Sequence, residues 1–319
     1  MIGPEAPRVS GAGAREVSIR PLLESDLDAL VALDARTTGV RRLAYFERRR
    51  AAAIRAPREP MPLAATSEGR VVGWVLARLA GGQYGRTEVR LVLESLGVDP
   101  GIQRAGIGAR LLARLDELAS ARGIGSIVTQ VDWRNHSMLH FLDRAGFRIA
   151  CTHVLARGVD RVGPEDAEPP PNVCRALRHD DLESLVRIDA ALTGTPRPEY
   201  FRRQVEEALH ESAIAVSLVA EADGLPVAFA MARVDLGDYG RIASVASLDT
   251  LGVVPGFARR GYGRALLTQM IDNLSALRID RLETEAARDD FDLLRFFYRA
   301  GFQPSSRIPF ERSTSPGKR

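Results

Sequence analysis

The chain predicts an α/β fold present in two tandem copies, each a mixed sheet flanked by helices. Three observations lead there. The stretch from Ser18 to Phe147 superimposes without a gap on the stretch from Val173 to Phe302, at a constant offset of 155 residues. A period that long is the length of a whole domain, not of a solenoid repeat of ~20–50 residues. Each copy also interleaves short apolar runs of strand character with amphipathic segments of helical period. Finally, each copy carries a glycine-rich turn between its longest strand and a helix.

The elements follow in the same order in both copies. A short strand (Val17–Arg20; Val173–Ala176) leads to a helix that starts at Asp26 or Asp181, aspartate being a favoured first-turn residue. Leu27, Leu30, Val31 and Leu33 line one face of that helix, matched by Leu182, Leu185, Val186 and Ile188. A polar loop and a second helix come next. The apolar strands Val71–Leu79 and Val227–Val234 and the long strands Glu88–Val98 and Ser244–Val253 follow. After the glycine turn, Ile107, Leu111, Leu112, Leu115 and Leu118 make the buried stripe of a helix, paralleled by Leu266, Leu267, Met270, Ile271 and Leu274. Another strand (Ser126–Val131; Arg281–Ala286), a helix and a terminal strand after Gly-Phe close each copy. The boundaries read as a tail at 1–16, a first domain at 17–158, a linker at 159–171, a second domain at 172–310 and a tail at 311–319. Gly163-Pro164 and Pro169-Pro170-Pro171 mark the linker, because they interrupt strand and helix alike.

Composition narrows the function. With 319 residues, 45% hydrophobic and 27% charged, each copy is long enough to bury its own core. The net charge of +3 comes from interspersed signs with no basic stripe and interleaved aromatics, so nucleic acid is not an expected partner. Lys318 is the only lysine and lies in the tail, which excludes a Schiff-base lysine and a Walker-type lysine in either copy. Cys151 and Cys174 make neither a disulfide framework nor a metal set, and His136 and His140 lack a third ligand, so no metal is expected. No apolar run approaches ~18 residues and the N-terminus lacks a signal-peptide core, so the expectation is a cytoplasmic protein that does not enter a membrane.

The stretch that carries chemistry is Val98-Asp99-Pro100-Gly101-Ile102-Gln103-Arg104-Ala105-Gly106-Ile107-Gly108, repeated as Val253-Val254-Pro255-Gly256-Phe257-Ala258-Arg259-Arg260-Gly261-Tyr262-Gly263. The first turn of a helix offers free N–H groups and the positive end of a dipole, and glycine lets a phosphate approach the backbone. The spacing is neither the dinucleotide fingerprint nor Walker A. It resembles the pyrophosphate loop of the GNAT superfamily of acyl-CoA-dependent N-acyltransferases, (Gln/Arg)-x-x-Gly-x-(Gly/Ala). The resemblance covers nearly the whole of both repeats, and each loop is followed by an Ala-Gly-Phe step, at Ala145-Gly146-Phe147 and Ala300-Gly301-Phe302.

That resemblance implies a tandem member with a splayed sheet in each half, a pseudo-dimer within one chain. It implies acetyl-CoA as co-substrate, held by Gln103, Arg104, Ala105, Gly106, Ile107 and Gly108 in the first half and by Arg259, Arg260, Gly261, Tyr262 and Gly263 in the second. The strand backbone at Leu96 and Val98, or Leu251 and Val253, would bond the pantetheine arm, and Asn135 would touch the cofactor, whereas the second half departs from the pattern with Asp290 at that position. Glu94 and Asp249 match the family's general base. Strand alternation is expected to put Glu94, Leu96 and Val98 on one face, aiming the carboxylate at the thioester. The family's acid tyrosine is replaced by Leu142 and Phe297, with Tyr298 one residue further on as the nearby candidate. The duplicated Asp34…Thr38-Gly39…Arg42…Tyr45 string, with Asp189 and Tyr200 as its counterparts, reads either as a capped turn or as part of the acceptor site.

The reading is an N-acetyltransferase that moves an acetyl group from acetyl-CoA to a primary amine of a small molecule in a ternary complex. Each half is expected to fold as a separate unit, and the first half, with Gln103, Asn135 and Glu94, is expected to be the better catalyst. Two alternatives stay open: an acyl-CoA-binding module with one or both halves silent, and aminoacyl or peptidoglycan-peptide transfer.

Overall fold

The computed structural model describes residues 16–55, 62–86, 88–160, 173–211, 216–235, 239 and 244–314. The N-terminal tail up to residue 15 and all but the first two residues of the expected linker therefore lie outside the described residues, as do Gly240 and Arg241, the repeat counterparts of Gly85 and Arg86. The first half contains β1 (Val17–Pro21), α1 (Leu27–Thr38), α2 (Leu43–Arg55), β2 (Leu63–Ser67), β3 (Arg70–Gly81) and β4 (Val89–Val98). It continues with α3 (Ile107–Ala121), β5 (Ser126–Asp132), α4 (His136–Arg144), β6 (Arg148–Ile149) and β7 (Thr152–Gly158). The second half contains β8 (Cys174–Ala176), α5 (Leu182–Thr193), α6 (Pro198–Glu206), β9 (Leu218–Ala222), β10 (Leu225–Asp235) and β11 (Val245–Val253). It ends with α7 (Tyr262–Ala276), β12 (Arg281–Ala287), α8 (Phe291–Arg299), β13 (Gln303–Pro304) and β14 (Arg307–Ser313).

Two seven-stranded mixed sheets result, each sandwiched between helices. On one face of the first sheet, Ile107, Leu111, Leu112 and Leu115 of α3 pack on Val75, Leu91, Leu93 and Ile127. On the other, Leu30, Val31 and Leu33 of α1 and Phe46 of α2 pack on Trp74 and Leu76. The alternation of β3 explains both contacts, since Val75 and Ala77 face α3 while Trp74 and Leu76 face α1. The second sheet repeats the arrangement with Leu266, Leu267, Met270 and Leu274 of α7 on one face and Leu185, Ile188 and Phe201 on the other. Truncating one such buried leucine to alanine costs about 2–5 kcal/mol, so each stripe alone holds much of its half's stability.

The sheets are not closed by their own halves. The order is β1-β2-β3-β4-β5-β14-β6 in the first and β8-β9-β10-β11-β12-β7-β13 in the second. The last strand of each repeat has crossed over: β14 runs antiparallel to β5 from Arg307↔Asp132 to Ser313↔Ser126. In return, β7 runs antiparallel to β12 from Arg281↔Gly158 to Ala287↔Thr152. Ile308 and Phe310 thus join the first half's core, and Leu155 joins the second's. This corrects the expectation that each half folds as a separate unit. Because the repeats are equivalent, each sheet offers the same edge, and the alternation of a terminal strand fits either one. The tail expected from residue 311 also begins later, since Glu311–Ser313 belong to β14 and the Thr314 amide donates to the Gly125 carbonyl at 3.0 Å.

Candidate active site

In each half the central strands fork. β4 pairs in parallel with β5 only at Leu91↔Ile127 and Val92↔Val128, and β11 pairs with β12 only at Val245↔Arg281, Ala246↔Leu282 and Ser247↔Glu283. A threonine pins each fork: Thr129 Oγ1 donates to the Leu93 carbonyl at 2.8 Å and Thr284 Oγ1 to the Leu248 carbonyl at 2.9 Å. Beyond it, Leu96 and Val98 have no ladder partner on β5, and Leu251 and Val253 none on β12, which leaves that edge of each strand open. The loops lie at the open end of these forks. Gly106 (φ 76°) and Gly261 (φ 91°) are left-handed N-caps of α3 and α7, and Arg104 (φ 69°) and Arg259 (φ 61°) are left-handed two residues earlier. A non-glycine residue in that region is strained, and its duplication marks a shaped backbone. No atom stands within 4 Å of where a Cβ on Gly106 or Gly261 would lie, so the cradle is open. Alternating backbone of this kind with a free first helical turn suits a phosphate anion. Gln103 folds back onto the Val98 carbonyl at 3.2 Å, while Arg260 stacks on Phe257 at 5.1 Å in the second loop.

Asn135, expected to touch the cofactor, and its counterpart Asp290 cap their own helices, accepting from the Met138 and Leu293 amides at 3.1 and 3.0 Å. The cap uses the Oδ1 that both side chains share, so the atom in which they differ, Nδ2 or Oδ2, is not the one bonded to the helix.

Glu94 and Asp249 are each the extra residue of a β-bulge. The register of β3 on β4 jumps from Leu76↔Ser95 to Ala77↔Leu93, and that of β10 on β11 from Met231↔Thr250 to Ala232↔Leu248. The bulge reverses the alternation, as an inserted residue must. Leu96 and Val98 consequently pack toward α3, while Glu94 and Ser95 face the α1–α2 side, where Ser95 Oγ accepts from Trp74 Nε1 at 3.0 Å. The expectation that Glu94 shares a face with Leu96 and Val98 is corrected on this ground. In the second half Asp249 and Thr250 turn the same way.

The surroundings of the two carboxylates differ. Glu94, 2% exposed, has one oxygen engaged by Arg78 Nε at 2.6 Å and Arg49 Nη2 at 2.7 Å. Asp249, 1% exposed, accepts from Arg233 Nε at 2.9 Å and Ser247 Oγ at 3.3 Å. Gln204 stands at the repeat position of Arg49, and Val92 at that of Ser247. Glu283 and Glu285 of β12 share the face of Ser247 and stand where the first half has Val128 and Gln130. The first half reaches into this site: Gln130 Nε2 donates to Glu285 at 2.6 Å, Thr152 to its other oxygen at 3.4 Å, and the Tyr84 hydroxyl lies 3.5 Å from Ser247 Oγ. A small polar crevice between the halves is lined by Tyr84, Gln130, Arg233, Ser247, Glu283 and Thr284, among others.

Asp34 and Asp189 lie inside the helix layer, each in a two-pronged ion pair with Arg42 or Arg197 (Nε to Oδ2 at 2.8 and 2.7 Å). These guanidiniums stack over Tyr45 and Tyr200, both at 5.0 Å. Arg197 also donates to the Gly82 carbonyl and, at 2.8 Å, to that of Arg86, so the pair clamps the first half's β3–β4 loop. Tyr200 reaches further, its hydroxyl 2.6 Å from Thr250 Oγ1, beside Asp249. Tyr298 stands 65% exposed on α8, and no contact joins it to Asp249 among the described residues. Sequence alone does not single out Tyr84, Ser247 or the two strand arginines; the signal it carries is that Tyr84-Gly85-Arg86 recurs as Tyr239-Gly240-Arg241 at the repeat offset. No group of three metal-ligating side chains occurs among the described residues, and none of their helices is long and apolar enough to cross a membrane.

Forked strands and open helix-capping loops in two copies define the acyltransferase fold with which this chain compares. The model of the Acetyltransferase (GNAT) family matches residues 27–147 and again 182–302. The chain belongs to that family. It is similar to a mycothiol acetyltransferase of Clavibacter michiganensis subsp. michiganensis, 27% identical over 252 residues that span 75% of this chain and 76% of the relative. A mycothiol acetyltransferase of Clavibacter sepedonicus is 28% identical over 222 residues, 66% of this chain and 68% of the relative. Among solved structures, a tandem GNAT protein from the clavulanic acid biosynthesis pathway superimposes with a TM-score of 0.63 at 17% identity, covering 95% of this chain and 100% of that one. A GCN5-related N-acetyltransferase from Sphaerobacter thermophilus gives 0.61 at 16%, covering 95% and 97%. These likenesses show the fold.

Proposed function

We propose that the chain moves an acetyl group from acetyl-CoA to a primary amine of a small molecule by direct transfer in a ternary complex, and that the second half carries the reaction. The observation that carries this is the company each carboxylate keeps. One Glu94 oxygen is held by two guanidiniums, whereas Asp249 accepts from Arg233 and a serine hydroxyl on a face that also bears Glu283 and Glu285. A face rich in carboxylates suits a cationic amine.

When bound, acetyl-CoA supplies an activated acyl thioester. The open cradles fit its pyrophosphate: Gly261, Tyr262 and Gly263 would hold it through first-turn N–H groups, with Arg259 and Arg260 adding charge, and Gln103 to Gly108 would do the same in the first half. The free edges at Leu251 and Val253, and at Leu96 and Val98, would bond the pantetheine arm. Asp249 takes the proton from the amine, directly or through water, and Arg233 fixes the carboxylate's orientation. Tyr200, bonded to Thr250, borders the acceptor side. Both curated relatives are named acetyltransferases, in keeping with acetyl as the acyl group. For the first half, the locked Glu94 favours acyl-CoA binding without turnover.

The test is CoA release across a panel of amines by the full chain and two variants. Asp249→Asn is expected to lower kcat by about 10²-fold or more, and Glu94→Gln by less than about tenfold. The reverse pattern moves the reaction to the first half, and no release from any amine removes the transferase reading.

A further inference from the structure

Tyr84 sits on the first half's β3–β4 loop in the left-handed region (φ 56°, ψ 35°), and its repeat partner Tyr239 does the same (φ 54°). A tyrosine gains nothing from that conformation by itself, so something outside the loop holds it. The second half supplies the hold. Arg197 donates to the Gly82 and Arg86 carbonyls, Arg203 donates to the Gly81 carbonyl at 3.1 Å, and the Tyr200 ring lies so close to Gly82 that a Cβ there would run into it. The loop is thus seated on α6 of the other half with the Tyr84 ring directed at β11.

At β11 the phenol meets a chain of polar groups. Its oxygen is 3.5 Å from Ser247 Oγ, and Ser247 Oγ donates to Asp249 Oδ1 at 3.3 Å. A serine hydroxyl has one proton to give, and Asp249 receives it. Tyr84 is therefore the donor to Ser247. The first half has no such chain, because Val92 occupies the position of Ser247.

We infer that the second half's site is completed across the repeat boundary: Tyr84 is a positioning residue that holds Ser247, and through it Asp249, in the orientation acyl transfer needs. The inference rests on the reading that Asp249 serves the reaction. Asp249, Glu285 and Arg233 act on the phenol, and Glu283 lines the same crevice. Burial first, and then the charges of Asp249 and Glu285, push its ionisation well above the ordinary tyrosine value, with Ser247 and Arg233 opposing. The donor proton is present at every working pH.

The experiment uses the full chain. Tyr84→Phe removes one oxygen and keeps the ring, and Ser247→Ala removes the link. Each is expected to lower kcat about tenfold, the loss of one hydrogen bond, with acetyl-CoA affinity by calorimetry unchanged. The double variant should fall no further than the worse single, since both break one chain. A second readout needs no turnover: in protein labelled with ¹³Cζ-tyrosine, the Tyr84 signal should ionise at lower pH in Asp249→Asn than in the wild type. Unchanged kcat in Tyr84→Phe, additive losses in the double variant, or a Tyr84 signal indifferent to Asp249→Asn would each overturn the inference. Should the wild type release no CoA with any amine, the transferase reading falls and the tyrosine signal alone decides whether Tyr84 is coupled to Asp249.

Discussion

Around Glu94 the first half gathers Arg78 and Arg49, and around Asp249 the second half gathers Arg233, Ser247 and a tyrosine lent by its neighbour. The backbone beneath is the same in both: a bulge, a fork pinned by a threonine and a loop with two left-handed residues. Duplication has therefore preserved the parts that shape a cofactor groove and allowed the charges on the opposite face to diverge. Glu207, on the turn after α6, adds to the difference, since Ala52 holds its place in the first half. Burial holds the Glu207 carboxyl above the ordinary carboxylate range, against the pull of Arg203, Arg78 and Arg233. The contrast teaches that the groove and the acceptor face can be kept or lost separately.

The halves differ in chemistry but depend on each other for folding, and the largest expected effect breaks that dependence. Deleting residues 307–319 removes β14 from the second repeat, yet the damage should appear in the first, which loses Ile308, Phe310 and the whole ladder on β5. The buried Phe310 and half-buried Ile308 are together worth roughly 2–4 kcal/mol before any hydrogen bond is counted, a large share of a typical ~5–15 kcal/mol stability. Hydrogen exchange should show the amides of β4 and β5 losing protection. Retained protection there, with loss confined to β11 and β12, would mean that each half closes its own sheet.

Next in size are the loops, where the halves should behave alike. Gly106→Asp and Gly261→Asp each place a carboxylate in an open cradle that accepts anions, and aspartate tolerates the left-handed backbone better than most residues. Each variant of the full chain should lose one equivalent of acetyl-CoA by calorimetry, with affinity at that loop down by about 10²-fold. Full stoichiometry in both variants would show that neither loop is the binding site. Loss in one variant alone would show that the grooves have diverged as well as the acceptor faces.

How far the sequence discloses this depends on the scale of the interaction. The loops are legible because a free helix turn and a left-handed glycine are local requirements, written within Gly106 to Gly108 and Gly261 to Gly263. The buried stripe of α3 is legible because Leu111, Leu112 and Leu115 follow the helical period. Glu94 and Asp249 stand out by motif, but the face they occupy does not, because the bulge adds one residue and reverses the alternation on which that inference depends. Asp34 and Asp189 illustrate a different loss. Their repetition was visible, yet the Arg42 and Arg197 that take up their oxygens lie eight residues on, across a turn whose geometry no spacing rule supplies. The exchange of β7 and β14 and the reach of Tyr84 are relations between equivalent halves. A repeat cannot say from its own pattern which copy of a neighbour it will use.

The smallest expected effect sharpens the comparison at the start of each half, far from the site. Arg20 grips Asp26 with two bonds at 2.6 and 2.9 Å, and Arg175 grips Asp181 at 2.8 and 2.7 Å. Arg175 also bonds Glu221 at 2.6 Å, where the first half has Thr66. The Arg20 hydrogen bond, outweighing burial, holds Asp26 below the ordinary aspartate range. For Asp181 burial is the larger influence and pushes upward, but Arg175 and the Arg178 amide together bring the carboxyl below its ordinary value. A carboxyl depressed in the folded state adds stability that is complete above its unfolded pKa, near ~3.9, and fades as pH falls toward the folded one. Denaturant melts between pH 6 and pH 2 should therefore show stability declining below about pH 4, less steeply in Asp26→Asn and in Asp181→Asn. With Arg20 one-third exposed, its pair should contribute no more than about 1 kcal/mol, and the more buried pair of the second half somewhat more. Variant curves running parallel to the wild type through that window would show that these pairs only orient the first strand and helix. A larger slope change for Asp26→Asn than for Asp181→Asn would show that the third partner, Glu221, weakens the grip of Arg175 rather than strengthening it.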